Sequence, residues 1–324
     1  MPEKEAPMSA ATPVRCVTTE EIRSALAMPA AIRAVADALI QLSSGRALAP
    51  PRTSLEIPGS RTTALVMAAY LPGTRRIGLK LISLCEDNPA LGLPLAQALT
   101  VVMDAERGAP LAVLEAGHLT AVRTGAASGA ATGALARRDA RVAAVFGAGV
   151  QGRTQLEALA AVRPLVKAFV VDSDARAAAL FAAEMSRTLG FEIEPASPAT
   201  ALRDADIVST ATTSATPVFR DEDLKPGVHI NAVGSYKPHV RELPGETIRR
   251  ARLFVDERRS CLEEAGDILI PLREGSIGED HIRAEIGEVL AGLRPGRGSE
   301  DEITVFKSVG NAVEDLAVAA LVLG

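Results

Sequence analysis

Two rhythms of apolar and polar positions divide the chain. In the first part, short apolar runs predict strands at residues 62–70, 77–83, 99–104 and 111–115, with 106–110 as a turn. Strands joined by short turns predict an antiparallel or mixed sheet, since parallel pairing needs a longer crossover. Ahead of them, Thr18 or Thr19 can cap a helix whose first turn carries Glu20 and Glu21. A second helix is predicted from about Pro29 to Ser43, with Ile32, Val35, Ala36, Leu39 and Ile40 on one face. Pro50 and Pro51 mark a turn before an extended segment within 48–57. The first dozen residues are polar and proline-bearing, and are expected to fray.

An alanine-rich helix over 119–135 then bridges to the second rhythm, in which strand and helix alternate. Strands are predicted at 142–146, 168–172, 207–210, 229–233 and 253–256. That alternation predicts a parallel, doubly wound sheet. Residues 294–299 break the order before a strand at 303–307 and an amphipathic terminal helix at 311–323. The fold class is therefore α/β, a Rossmann-type doubly wound parallel sheet plus an α+β domain.

The most informative stretch is Ala143 to Arg153, where an apolar run ends in Gly147-Ala148-Gly149-Val150-Gln151-Gly152 and a helix-compatible segment follows. A strand that turns tightly into a helix points free N–H groups and a positive dipole end at an anion. The first glycine permits the turn, the second lets a pyrophosphate approach, and the third lets helix and strand pack closely. Glycine-rich turns are common, so the context carries the assignment. Asp172 closes the next apolar run, about twenty residues past the last glycine, where an acid can bind a ribose hydroxyl. Together these features predict a dinucleotide site.

Composition narrows the class further. A chain of 324 residues suits two domains, and 48% hydrophobic residues can supply the cores. Aromatics are scarce, which favours helices on a sheet over an aromatic-rich sandwich. A net charge of −5 lacks the basic stripe of a nucleic-acid binder. No apolar run is long enough to span a bilayer, and the start lacks a signal-peptide profile. Cys16, Cys85 and Cys261 have no paired spacing, and read as reduced, mostly buried thiols of a cytoplasmic protein. His118, His229, His239 and His281 form no ligand pair at helical spacing, so no metal is expected.

Three cations could carry chemistry: Arg52 after two prolines, Lys80 within 77–83, and Arg123 at a helix beginning. Single cations usually lie solvated at the surface. Lys80 differs, because Leu79 and Leu81 flank it and a strand buried on both faces would force it to find a partner or a function. A buried lysine shifts its pKa readily, which suits proton transfer. In the second half, residues 207–214 and 231–235 put small hydroxylated groups at strand ends, where doubly wound sheets bind ligands. Residues 306–310 offer either a helix cap or a site wall.

Several motifs, in order, are similar to the ornithine cyclodeaminase/mu-crystallin family. They are Gly78-Leu79-Lys80, Gly92-Leu93-Pro94, the segment from Thr120 to Ser128, and the glycine turn at 147–152. Asn231 to Ser235 with Arg241-Glu242-Leu243, and Phe306 to Gly310 with Glu314-Asp315-Leu316, extend the likeness over nearly the whole chain. The resemblance implies a substrate-binding and dimerisation domain of residues 1–125 with 304–324, and a dinucleotide-binding domain of 126–303. It implies that Arg52 and Arg123 hold a substrate carboxylate, while Lys80 orients the substrate or donates a proton. It places Thr124 and Gly147, Ala148, Gly149, Val150, Gln151 and Gly152 at the pyrophosphate, and Asp172 at the adenosine ribose. Thr210, Ala211, Thr212 and Val233 would line the nicotinamide side, and Lys307 and Ser308 would close the site.

Within that family, cyclodeaminases carry an aspartate shortly after the Asn-Ala-Val-Gly segment. Here Ser235 and Tyr236 occupy that stretch and no carboxylate does. The resemblance therefore implies an NAD(P)H-dependent reductase of a small cyclic imino acid, 1-pyrroline-2-carboxylate or 1-piperideine-2-carboxylate. Its alternatives are alanine dehydrogenase-like reductive amination of a 2-oxo acid, ornithine cyclodeamination, and non-catalytic binding as in mu-crystallin. Asp172 disfavours a 2′-phosphate, so NAD(H) is expected, with NADP(H) left open by Arg176. The expected partners are a small imino or amino acid and a second copy of the chain, with neither nucleic acid nor membrane.

Overall fold

A computed structural model describes residues 13–324, so the segment expected to fray lies outside the described residues. The first part of the chain forms β1 (Arg15–Val17), α1 (Thr19–Ala25), α2 (Met28–Ser43), β2 (Thr53–Glu56), β3 (Thr62–Leu71), β4 (Arg76–Cys85), β5 (Ala96–Asp104) and β6 (Pro110–Glu115). Its six strands lie in the order β1-β6-β5-β4-β3-β2. All pair antiparallel except β1, which runs parallel to β6, so the sheet is mixed. Thr18 and Glu21 cap α1 reciprocally, as the acids of its first turn suggested.

Period-two alternation decides which side chains this sheet buries. Leu65, Met67, Ala69 and Leu71 of β3 face inward with Gly78, Lys80 and Ile82 of β4. Leu79 and Leu81 point the other way and are 41% and 49% exposed. The strand is therefore not buried on both faces, which corrects the premise that made Lys80 unusual. Lys80 still lies on the covered face, 2% exposed.

α3 (Ala116–Leu135) is shared by the two parts of the molecule. It is apolar nearly all round and mostly buried. Small residues make that possible: a Cβ on Gly125 would stand 2.5 Å from the Thr154 carbonyl oxygen, and one on Gly129 2.7 Å from the Ile32 side chain.

Beyond α3 the chain runs β7 (Val142–Phe146), α4 (Val150–Val162), β8 (Lys167–Val171), α5 (Ala175–Leu189), β9 (Glu192–Pro195), α6 (Pro198–Asp204), β10 (Ile207–Thr210) and β11 (His229–Ala232). It continues as α7 (Gly245–Arg250), β12 (Arg252–Val255), α8 (Arg258–Glu264), α9 (Gly266–Arg273), β13 (Ile282–Glu285), α10 (Ile286–Leu290), β14 (Thr304–Lys307) and α11 (Ala312–Leu323). These strands form a parallel sheet in the order β13-β12-β14-β11-β10-β7-β8-β9. The winding direction reverses between β7 and β10, which is the switch point where such sheets bind ligands. Among the described residues no single helix is long and apolar enough to cross a membrane.

Four expectations need correction. The sequence pattern does not predict strands β1, β9 and β13, because each is only three or four residues long and carries charged residues. Thr304–Lys307, grouped with the first part of the chain, pairs with β11 and β12 in the middle of the parallel sheet. Helix α11 is buried on nearly every side rather than amphipathic, because it packs among β3, β4, α2 and α3. Of the three free thiols only Cys261 is buried; Cys16 sits exposed on an edge strand and Cys85 is half-buried at the end of β4.

Candidate active site

The three singled-out cations converge around α11 and the turn before it. Lys80 Nζ lies 2.7 Å from Asp315 Oδ2, with both side chains 2% exposed. Arg123 donates to Asp315 Oδ1 at 3.2 Å through Nε and to Glu314 Oε2 at 2.8 Å through Nη1. Gly78 eases this approach, since a Cβ there would crowd the Leu316 side chain of α11 at 3.0 Å. Arg52 reaches the same place from the loop before β2. Its Nη2 pairs with Glu264 Oε2 at 2.7 Å and donates to the carbonyls of Val309 and Gly310.

The turn that carries those carbonyls is held by Asp256, at the end of β12. Asp256 Oδ2 accepts from Ser308 Oγ at 2.7 Å, Val309 N at 2.9 Å and Gly310 N at 2.8 Å. Gly310 adopts φ 79°, and a Cβ on it would stand 2.3 Å from Arg123 Nη1. Only glycine therefore lets the guanidinium lie against the turn.

Burial and mutual charge tune these groups. Burial, with the Arg123 charge beside it, pushes the Lys80 ammonium down to about 8, against the pull of Asp315. Burial raises the Glu314 carboxyl to about 7 even though Arg123 opposes the shift. Burial works against the Arg123 charge too, but Asp315 and Glu314 hold its pKa above the ordinary value. The outcome is an ammonium able to release a proton near neutrality, beside two guanidiniums whose forks suit a carboxylate.

The nucleotide cradle lies at the C-terminal end of β7. Gly147 has φ 103°, and a Cβ on Gly152 would stand 2.0 Å from the Gly147 carbonyl oxygen, so the turn closes only with glycines. Around Gly149 nothing lies within 4 Å of where a side chain would begin. Gly149 caps α4 with no side-chain bond, leaving first-turn N–H groups free for an anion. Asp172 Oδ2 accepts from Ala148 N at 2.7 Å, which ties the acid at the end of β8 to the turn. Gln155 donates to the Thr124 carbonyl, and Thr124 thereby sits beside α4. This combination of tight turn, open approach, free donors and acid fits a dinucleotide.

On the other side of the switch point, the ends of β10 and β11 converge on one buried carboxylate. Glu242 accepts from Thr210 Oγ, Thr212 N, Thr212 Oγ, Gly234 N and Ser235 N, at 2.7–3.2 Å. Burial and the Asp267 charge push this carboxyl upward, while Lys307 and the Thr212 donors counter. Ala211, Thr212 and Val233 are partly exposed on this wall, whereas Thr210 is fully buried with its hydroxyl on Glu242. Lys307, expected to close the site, is fully buried; its ammonium pairs with Asp267 at 2.9 Å and donates to the Ser235 carbonyl. Ser308, too, spends its hydroxyl on Asp256.

The cations and glycines were thus visible in the sequence, and the acids that organise them were not. Sequence reasoning gives Asp256, Glu264 and Asp267 no role, and Glu242, Glu314 and Asp315 only a place in a motif. One signal was available: Glu314 and Asp315 stand in an otherwise apolar helix, and buried charges require partners.

Known proteins resemble this chain over nearly its whole length. The model of the ornithine cyclodeaminase/mu-crystallin family matches residues 14–323. A Delta(1)-pyrroline-2-carboxylate reductase of Bacillus cereus is 39% identical over 305 residues, 94% of each chain. The structure of the Thermococcus litoralis Delta(1)-pyrroline-2-carboxylate reductase, in complex with NADH and L-proline, superposes with a TM-score of 0.93, at 41% identity over 96% of each chain. An archaeal alanine dehydrogenase dimer with bound NAD superposes at 0.90, with 35% identity over 96% of this chain and 95% of that one.

Proposed function

The chain belongs to the ornithine cyclodeaminase/mu-crystallin family, and from that premise we propose that it is an NAD(H)-dependent reductase of a small cyclic imino acid, 1-pyrroline-2-carboxylate. The observation that carries this reading is the buried Lys80 ammonium, with its lowered proton affinity, set beside Arg123 of α3 and paired, like it, with Asp315 of α11. The relatives named above support the choice of substrate.

When bound, the nicotinamide supplies the hydride that reduces the C=N carbon. Arg52 and Arg123 then hold the substrate carboxylate, exchanging part of their pairing with Glu264 and Glu314 for it. Lys80 delivers the proton that completes the new N–H, and Asp315 keeps its ammonium in place. Asp172 favours NADH over NADPH, because a carboxylate repels a 2′-phosphate. The free thiols fit a reducing compartment, and the reading places the enzyme in the cytoplasm.

The test is NADH oxidation in the presence of 1-pyrroline-2-carboxylate and no ammonia. Turnover is expected, and its absence with both NADH and NADPH would sink the reading. Ammonia-dependent reduction of pyruvate in its place would assign alanine dehydrogenase chemistry. Because Lys80 must start protonated, kcat/KM for the imine is expected to fall as pH rises through about 8. A flat profile from neutrality upward would remove Lys80 as the proton donor.

The family reading extends to a homodimer through the open face of the first sheet. Ile77, Leu79 and Leu81 of β4 line up there beside Met103, Val101 and Leu99 of β5. Val66, Ala68 and Tyr70 of β3 continue the face. A contiguous apolar sheet face of this kind marks an association surface, and one neighbouring structure is a dimer. Light scattering is expected to give a dimer for the wild type and a monomer for Leu81→Lys. A monomeric wild type would refute the assignment.

A further inference from the structure

We infer that Glu242 is a positioning residue that sets the platform for the nicotinamide half of the dinucleotide. The inference rests on the NAD(H) reading above and adds a determinant to it.

The cradle geometry fixes which end of the ligand lies where. The pyrophosphate turn follows β7 and the ribose acid follows β8, on one side of the switch point. The other half of the molecule must therefore cross to β10 and β11. At their ends, backbone bonds alone would otherwise join the two loops: Val233 N and Gly234 N donate to the Thr210 carbonyl, Val218 N to the Glu242 carbonyl and Arg241 N to the Ala215 carbonyl. Glu242 clamps both loops. One oxygen takes the amide and hydroxyl of Thr212; the other takes the Thr210 hydroxyl and the amides of Gly234 and Ser235. The fit leaves no slack, since a Cβ on Gly234 would stand 2.5 Å from Glu242 Oε1 and 2.5 Å from the Thr212 carbonyl.

The clamp is itself anchored. Asp267 Oδ1 accepts from the amides of Glu242 and Leu243 at 2.8 and 2.9 Å, and Asp267 Oδ2 pairs with Lys307 at 2.9 Å. Lys307 ends β14, the strand next to β11. A buried chain of charge thus runs from the sheet, through α9, to the two loops. This also gives Lys307 its role, since it reaches the cofactor wall through Asp267 and Glu242.

Every group hydrogen-bonded to the Glu242 carboxylate donates to it. A glutamine there offers one acceptor oxygen, and its amide N–H groups would face backbone N–H donors on the other side, Thr212 N in one orientation and Gly234 N with Ser235 N in the other. Half the platform is released, while Ala211, which packs on Gly147, keeps its N–H bond to the Phe146 carbonyl, and Asp172 keeps its bond from Ala148 N.

The test compares NADH with ADP-ribose, which lacks the nicotinamide, by calorimetric titration of wild type and Glu242→Gln. The variant is expected to bind NADH roughly tenfold more weakly, as buried donors left unpaired would cause. Its ADP-ribose affinity should stay within about twofold, a margin below one such lost bond. Equal weakening of both ligands, or no change in either, overturns the inference. Should Glu242→Gln fail to fold, Thr210→Val decides by the same comparison, as it removes one buried donor without changing shape. Neither titration needs the imine. A wild type that binds NADH but reduces no imine refutes the proposed reaction alone, whereas one that binds neither nucleotide refutes both readings.

Discussion

Lys80→Met is expected to lose turnover by about 10²–10⁴-fold, the range for removal of a positioned proton donor, while NADH affinity stays unchanged. The reason is geometric. Lys80 lies on the inner face of β4 against α11, and the nucleotide cradle lies at the end of β7 in the other sheet. Methionine keeps much of the volume and removes the charge, so Asp315 retains Arg123 as its partner. Steady-state kinetics with 1-pyrroline-2-carboxylate, paired with an NADH titration, separates the two effects. Turnover that survives within tenfold would show that the proton comes from elsewhere.

Arg123→Met should damage stability as well as binding. Removing one member of a buried charge cluster leaves its partners uncompensated, at a cost of about 3–5 kcal/mol. Here Glu314 loses its counter-ion and keeps only the Asn311 N–H, while Asp315 keeps Lys80. The penalty has a predictable pH dependence. Glu314 titrates at about 7 in the folded wild type, above its ordinary 4.5. The folded state therefore binds more protons in that window, and its stability falls as pH rises. Without Arg123 the carboxyl rises further, so the deficit of the variant should grow from acidic to mildly alkaline pH. Urea denaturation at several pH values measures this, and a deficit independent of pH would mean that Glu314 has found another partner.

Sequence patterns revealed most of the architecture because the sheets are regular where the core demands it. Short apolar runs announce β3, β4 and β7 alike, while the face that β3 and β4 bury shows only in the alternation of their burial. The glycine turn was legible because its chemistry is local: strand, turn, helix and acid follow one another within the chain. What stayed hidden depends on distant pairing. Glu264 meets Arg52, and Asp315 meets Lys80, across most of the chain length. No spacing rule encodes such meetings. Lys80 was singled out on a premise that the open sheet face corrects, yet its burial follows from the same alternation, read one residue over. The family likeness implies that Lys307 and Ser308 close the site, whereas their polar atoms serve Asp267 and Asp256.

The position of β14 has a consequence for how the molecule reaches its native state. The strands β12 and β13 are synthesised before β14, yet only β14 connects them to β11. Until it inserts, the parallel sheet exists as two fragments with exposed edges, a condition that invites mispairing between chains. The inserting segment also leads into α11, which delivers the counter-ions for Lys80 and Arg123. Completion of the sheet and neutralisation of the buried cations are thus one late event, so a chain that stalls before it has neither a finished sheet nor a neutralised site.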